Sequence, residues 1–84
     1  MLNRLPGESA ARAKALVLAG GVATWQGEYV RGVSLLEEGV ALFERLGERD
    51  HAVSALMTLG IALMNKGDLE RAGQVLSRGL AGNA

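Results

Sequence analysis

Residues 15–41 read ALVLAGGVATWQGEYVRGVSLLEEGVA, and residues 55–81 read ALMTLGIALMNKGDLERAGQVLSRGLA. The two stretches align without a gap at a spacing of forty residues, as from Gly20 to Gly60. Identical residues occupy the pairs Ala15/Ala55, Leu16/Leu56, Gly20/Gly60, Gly27/Gly67, Arg31/Arg71, Leu36/Leu76, Gly39/Gly79 and Ala41/Ala81. A fixed period in this range is typical of stacked helical repeats. Such repeats present extended surfaces to partners.

The apolar spacing predicts an all-α fold, with two antiparallel helix hairpins stacked as an α-α superhelix in one domain. We expect the units at about 9–47 and 49–82, and the helices at about Ser9–Gln26, Glu28–Leu46, Asp50–Lys66 and Asp68–Ala81. The second helix is the clearest, because one face carries Tyr29, Val33, Leu36, Val40 and Phe43. No segment alternates with a period of two, so we predict no strand.

Helix ends are marked by residues with known capping preferences. Glycine favours the left-handed position that follows a helix, and this predicts caps at Gly27, Gly47, Gly67 and Gly82. The side chains of Ser9, Asp50 and Asp68 are expected to accept hydrogen bonds from free amides at helix starts.

Glycines also fall inside the predicted helices, where each costs about 1 kcal/mol relative to alanine. They are Gly20, Gly21, Gly32, Gly39, Gly60, Gly73 and Gly79. Several recur in register, which favours close approach of neighbouring helices over simply weak helices.

Composition excludes several classes of protein. Nine basic residues balance nine acidic ones without a block of one sign. This argues against a nucleic-acid binder and against a membrane-surface helix. The absence of cysteine excludes disulfides and thiolate metal sites and fits a cytoplasmic protein. The uncharged stretch from Ala15 to Gly27 is too short to cross a bilayer.

Few residues could carry out chemistry. His51 is the only histidine, so it lacks partners for a metal site, and we expect a partly exposed residue at a helix start. Glu37 and Glu38 point about 100° apart on a helix and form no acid/base pair. We predict a chain without enzymatic activity, metal or cofactor.

The sequence resembles the tetratricopeptide repeat family. Leu-Gly at 59–60, the turns Gly27-Glu28-Tyr29 and Gly67-Asp68-Leu69, and small residues at Gly32 and Ala72 match the family pattern. The period exceeds the family's 34 residues, and the excess lies in LFERLGERD, residues 42–50. In this the chain is similar to the long-period arrays of large bacterial LuxR-type regulators and signalling ATPases.

The resemblance implies that the first helix of each unit lines a concave binding surface. Carried over by position, the inward-facing residues would be Lys14, Val17, Gly21, Trp25, Ser54, Met57, Ile61 and Asn65. Trp25 is either an interface anchor or a core residue packed under Gln26 and Tyr29. Met57 and Met64 are interpreted first as core residues and second as adaptable contacts. Val17 and Gly21 replace the polar groups of the family's carboxylate clamp, so a largely apolar groove is expected.

The ends of the chain also follow the period. Leu2, Gly7 and Glu8 align with Leu42, Gly47 and Glu48, so Met1 to Pro6 resembles the tail of a preceding helix. We therefore expect a fragment of a longer array, or self-association through uncapped ends.

Three functions stay open on this basis. The first is a protein-interaction module that binds a peptide or partner helix. The second is a structural or self-assembly segment, which would form a homo-oligomer through its uncapped ends. The third is an effector-sensing part of a bacterial transcription regulator.

Overall fold

The computed structural model of the chain describes residues 9–82. Within this range the chain forms four α-helices and no strand, which confirms the all-α prediction. They are α1 (Ala10–Trp25), α2 (Tyr29–Arg45), α3 (Arg49–Lys66) and α4 (Leu69–Gly82). The expected helix tail at Met1 to Pro6 lies outside the described residues.

Glycines in the left-handed region end the first three helices, as predicted. Gly27, Gly47 and Gly67 have φ values of +88°, +74° and +97°. At the end of α1 the Gly27 amide donates to the Thr24 carbonyl and the Glu28 amide to the Ala23 carbonyl, at 3.0 and 2.8 Å. This pair of bonds satisfies carbonyls that the helix leaves free and turns the chain back on itself. The predicted cap residue Gly82 is instead the last residue of α4.

Two of the three predicted N-terminal caps are confirmed. Ser9 Oγ accepts from the Arg12 amide at 3.1 Å, and Asp68 Oδ1 accepts from the Arg71 amide at 3.4 Å. The prediction for Asp50 is wrong, because α3 begins at Arg49 and Glu48 is its N-cap. Asp50 falls in the first turn, where its charge still favours the helix dipole.

The helices pack as two antiparallel hairpins. α1 packs on α2, α3 packs on α4, and the hairpins join chiefly through α2 and α3, with a smaller contact between α1 and α3. The predicted apolar face of α2 supplies the core, since Val33, Leu36, Val40 and Phe43 are all buried. The Cα trace is only 12 Å deep in its thinnest direction, about one helix diameter. Each helix therefore keeps one side open to solvent.

Close approach of the helices explains some of the interior glycines. A Cβ added at Gly20, Gly39 or Gly60 would lie 2.5–2.7 Å from side chains of the partner helix. For Gly21 and Gly73 the prediction is wrong, because nothing lies within 4 Å of an added Cβ. A Cβ at either position would enter open space, and Gly21 lines a hollow on the surface.

Two ion pairs connect α2 with α4 on the outer side of the stack. The Arg71 guanidinium donates to Glu37, and Arg78 Nη2 donates to Glu44 Oε2 at 2.7 Å. The hydrogen bond to Glu37 and its negative charge raise the pKa of Arg71. All four side chains are about half exposed, so these pairs orient the hairpins more than they stabilise the fold.

Candidate interaction surface

The exposed side of α1 carries an unusual tryptophan. Trp25, at the last turn of the helix, is 89% exposed. Of the two interpretations of this residue, packing under Gln26 and Tyr29 is therefore wrong. An indole costs free energy when its large apolar surface stays in water. Trp25 is consequently the leading candidate for contact with a partner.

Trp25 borders an open hollow between α1 and α3. The hollow has a volume of about 400 Å³ and is lined by Val17, Leu18, Gly21, Val22, Trp25 and Thr58. The hollow is open because Gly21 has no side chain. The equivalent position of the second hairpin is occupied by Ile61. Three of the residues predicted for the binding surface thus meet here, namely Val17, Gly21 and Trp25.

The hollow offers hydrophobic contact with little polar chemistry. Its one side-chain hydroxyl, on Thr58, donates to the Ser54 carbonyl of its own helix at 3.2 Å. Since that donor is already satisfied, an apolar side chain can cover it without leaving a buried unpaired group.

The four predicted α3 residues are exposed, but none of them lines the hollow. Ile61 is 56% exposed, and Ser54 and Asn65 are also exposed. Met57 is partly exposed and leans toward α4, where its Sδ would lie 3.1 Å from a Cβ at Gly79. Met64 is half exposed. The first interpretation of Met64, as a core residue, is therefore wrong, and that of Met57 holds only in part.

Two predicted residues stand apart from the rest. Lys14 is exposed on α1 and lines a separate hollow against the α2–α3 turn, beside Phe43 and His51. Val17 is half-buried and packs toward α2, since its Cγ2 would lie 2.6 Å from a Cβ at Gly39. Val17 therefore belongs as much to the hairpin contact as to the surface.

Sequence reasoning missed two residues of the surface. Leu18 and Val22 are 64% and 54% exposed and line the hollow with Trp25. The three follow an i, i+4, i+7 spacing, which is one helix face. The signal that could have found them is the pairing with Thr58 and Ala62, smaller residues at the same positions of α3.

His51 contributes to packing. Its ring stacks on Phe43 with centroids 5.1 Å apart, and its Nδ1 lies 3.3 Å from Glu48 Oε1. As expected, it is an exposed residue at the start of α3. Among residues 9–82, no three side chains of the metal-binding types cluster so that they could hold an ion.

A larger hollow, of about 680 Å³, lies where α2, α3 and α4 converge near Leu56. The Glu44–Arg78 ion pair belongs to its rim. Because these two charges neutralise each other, they are poor anchors for a charged ligand.

No protein-family model matches the chain, and no curated protein or solved structure matches it either. Within the described range, no helix combines the length and the apolar character needed to cross a bilayer.

Proposed function

We propose that this chain is a protein-interaction module of the tetratricopeptide type, which binds an apolar peptide or partner helix on its α1–α3 surface. The observation that carries the proposal is Trp25, 89% exposed at the edge of an apolar hollow. The self-similarity at forty residues and the paired turns at Gly27 and Gly67 support the family assignment. The proposal assigns no reaction and no cofactor to the chain, and it places the chain in the cytoplasm.

The exposed apolar side chains form a binding strip along two helices. Leu18, Val22 and Trp25 come from α1, and Ile61 and Met64 from α3. Single exposed apolar residues are ordinary on protein surfaces, but a contiguous patch marks an interaction site. Tryptophan at such a patch commonly supplies a large share of the binding energy.

The mode of binding follows from the shape of the strip. One bulky apolar side chain of the partner would enter the hollow above Gly21, with the indole of Trp25 against its flank. An amphipathic helix presents such side chains at i, i+3, i+4 and i+7. Its remaining anchors would contact Ile61 and Met64, which are open to solvent beside the hollow.

A fluorescein-labelled peptide tests this mode of binding. The peptide is amphipathic, with leucines at the helical spacing and a length of about 15 residues, so that it can form a helix. We expect saturable binding by fluorescence anisotropy, and much weaker binding of a scrambled peptide of the same composition. Two variants should each weaken binding by about 10-fold or more, which corresponds to about 1.4 kcal/mol. Gly21→Leu fills the hollow, and Trp25→Ala removes the flank.

The control is Val30→Ala on α2, because Val30 is also exposed but lies away from the strip. It should bind like the wild type. Circular dichroism should show that all variants keep their helices, since nothing lies within 4 Å of a Cβ at Gly21. Equal affinity of the scrambled peptide, or unchanged affinity of both strip variants, would refute the proposal.

A further inference from the structure

The outer side of α4 repeats a face that is buried on α2. On α2, Val33 and Val40 are buried where α3 packs, and Tyr29 is half-buried. At the same positions of α4, Gly73, Leu80 and Leu69 are exposed. We name the α4 face by its three exposed members, Leu69, Gly73 and Leu80.

The outer side of α1 shows the complementary pattern. On α3, the residues that pack toward α2 are all at most 4% exposed: Ala52, Ala55, Leu59 and Ala62. Their equivalents on α1 are all exposed. These define the α1 face: Arg12, Ala15, Ala19 and Val22. The molecule therefore carries, on opposite ends, one copy of each half of its own inner interface.

The stacked rings of Phe43 and His51 give the register of the inner interface. Both helices rise by the same amount per residue, and they run antiparallel away from this contact. Counting along each helix, Val40 comes within one residue of Ala55, and Val33 comes within one residue of Ala62.

The same register applied to the outer faces pairs side chains of compensating size. Val33 with Ala62 becomes Gly73 with Val22, so the smaller residue on α4 meets the larger one on α1. Val40 with Ala55 becomes Leu80 with Ala15, so here the larger residue is on α4. Swaps that conserve total volume are the ones that packed interfaces tolerate best.

Two further features of the α1 face fit this arrangement. A hollow of about 310 Å³ on this face is lined by Ala19, Val22 and Gln26 among others. Leu69 of the α4 face would come within one residue of Gln26 and would enter this hollow. Arg12 lies at the first turn of α1, where a long side chain can extend its charge to solvent.

We infer that the α4 face of one copy of this chain binds the α1 face of a second copy, so that copies stack head to tail. The contact is heterologous, so it leaves one free face at each end and can continue. It shares Val22 with the peptide-binding strip but leaves Trp25 outside the contact, because the equivalent Asn65 stays exposed beside the inner interface.

Sedimentation velocity of two complementary variants tests the inference. Val22→Glu spoils the α1 face and Leu80→Glu spoils the α4 face. Both residues are more than half exposed, so both variants should keep their helices by circular dichroism. The wild type should gain mass as its concentration rises, and each variant alone should stay monomeric. An equimolar mixture should form dimers and nothing larger, because one intact face of each kind remains.

The control is Val30→Glu, an exposed position of α2 whose equivalent is Glu70, and it should associate like the wild type. A wild-type chain that stays monomeric at about 1 mM, weaker than any useful affinity, would overturn the inference. So would dimers of either variant alone, or a mixture without dimers. Trp25→Ala should stack normally, and thus failure of peptide binding and failure of stacking are separable.

Discussion

Two consecutive glycines of α1 have opposite surroundings. A Cβ on Gly20 would lie 2.7 Å from Leu36 Cγ and 3.0 Å from the Gly32 carbonyl oxygen. Leu36 is fully buried and has no room to move aside. A Cβ on Gly21 would have no neighbour within 4 Å. The same substitution should therefore change the free energy of unfolding in opposite directions at the two positions.

We expect Gly20→Ala to lower the free energy of unfolding by about 1–3 kcal/mol, the usual cost of overpacking a core. Gly21→Ala should raise it by about 0.5–1 kcal/mol, because alanine loses less backbone entropy in a helix. Urea denaturation followed by circular dichroism measures both. A loss of stability at Gly21, or a gain at Gly20, would contradict the packing described for α1.

The forty-residue period predicted the close helix contact at Gly20 but not the open surroundings of Gly21. The recurrence of Gly20 at Gly60 marked two real points of close approach. Gly21 lies in α1 and Gly73 in α4, and their equivalents are Ile61 and Val33. Their lack of a close neighbour depends on which helix surrounds them, and a single sequence does not contain that information.

At the level of the helix, the equivalent helices α2 and α4 differ in their N-terminal caps. Asp68 accepts a hydrogen bond from the Arg71 amide at the start of α4. Glu28 occupies the same position before α2 but makes no such bond. The turns before them match, since the Glu28 and Asp68 amides donate to the Ala23 and Leu63 carbonyls. The longer glutamate side chain is the difference, because short side chains reach the free amides best.

Glu28→Asp should therefore install the missing cap and raise the free energy of unfolding by about 0.5–1 kcal/mol. Asp68→Glu, the reverse change at the equivalent position, should lower it by a similar amount. Thermal unfolding monitored by circular dichroism gives both values. Two shifts of the same sign would show that the two turns are not equivalent.

Helix boundaries were the most predictable level of the structure. Glycines at positions 27, 47 and 67 have the left-handed backbone that the sequence predicts. Asp50 was mistaken for a cap because its preference for helix starts is real. The turn at Gly47 closes sooner than that preference indicates, and α3 begins at Arg49.

At the scale of the whole molecule, the α2–α3 interface unites two hairpins that are small on their own. Leu59 of α3 is buried in the common core, whereas Ile61, two residues later, is 56% exposed. A chain of this size buries only about 60% of its unfolded surface. Each buried leucine is therefore a large part of the net stability.

Leu59→Ala should lower the free energy of unfolding by about 2–5 kcal/mol. In a domain this small, each kcal/mol corresponds to about 4–8 °C in the melting temperature. Ile61→Ala on the same helix should change the free energy by no more than about 0.5 kcal/mol. Calorimetry of both variants compares them directly. Similar losses for the two would mean that α3 does not face α2 as described.

The fold was more predictable than the surface for a physical reason. Apolar spacing shows which helix faces are hydrophobic, and this was enough for the hairpins and the face of α2. It does not show which hydrophobic faces are covered. Val22 follows the same rules as a core residue. Its equivalent Ala62 is buried where α2 packs on α3, and Val22 is exposed because no helix of the described structure packs on that side of α1.

The ion pairs between α2 and α4 give the two edges of this thin molecule different sensitivities. Salt weakens the attraction between exposed charges, so ionic strength acts on the edge that holds Glu37–Arg71 and Glu44–Arg78. The opposite edge, lined by Val17, Leu18 and Val22, is apolar and lacks that response. Added salt would therefore weaken the ion pairs at one edge of the molecule and leave the apolar edge unaffected. The angle between the two hairpins would then change with ionic strength.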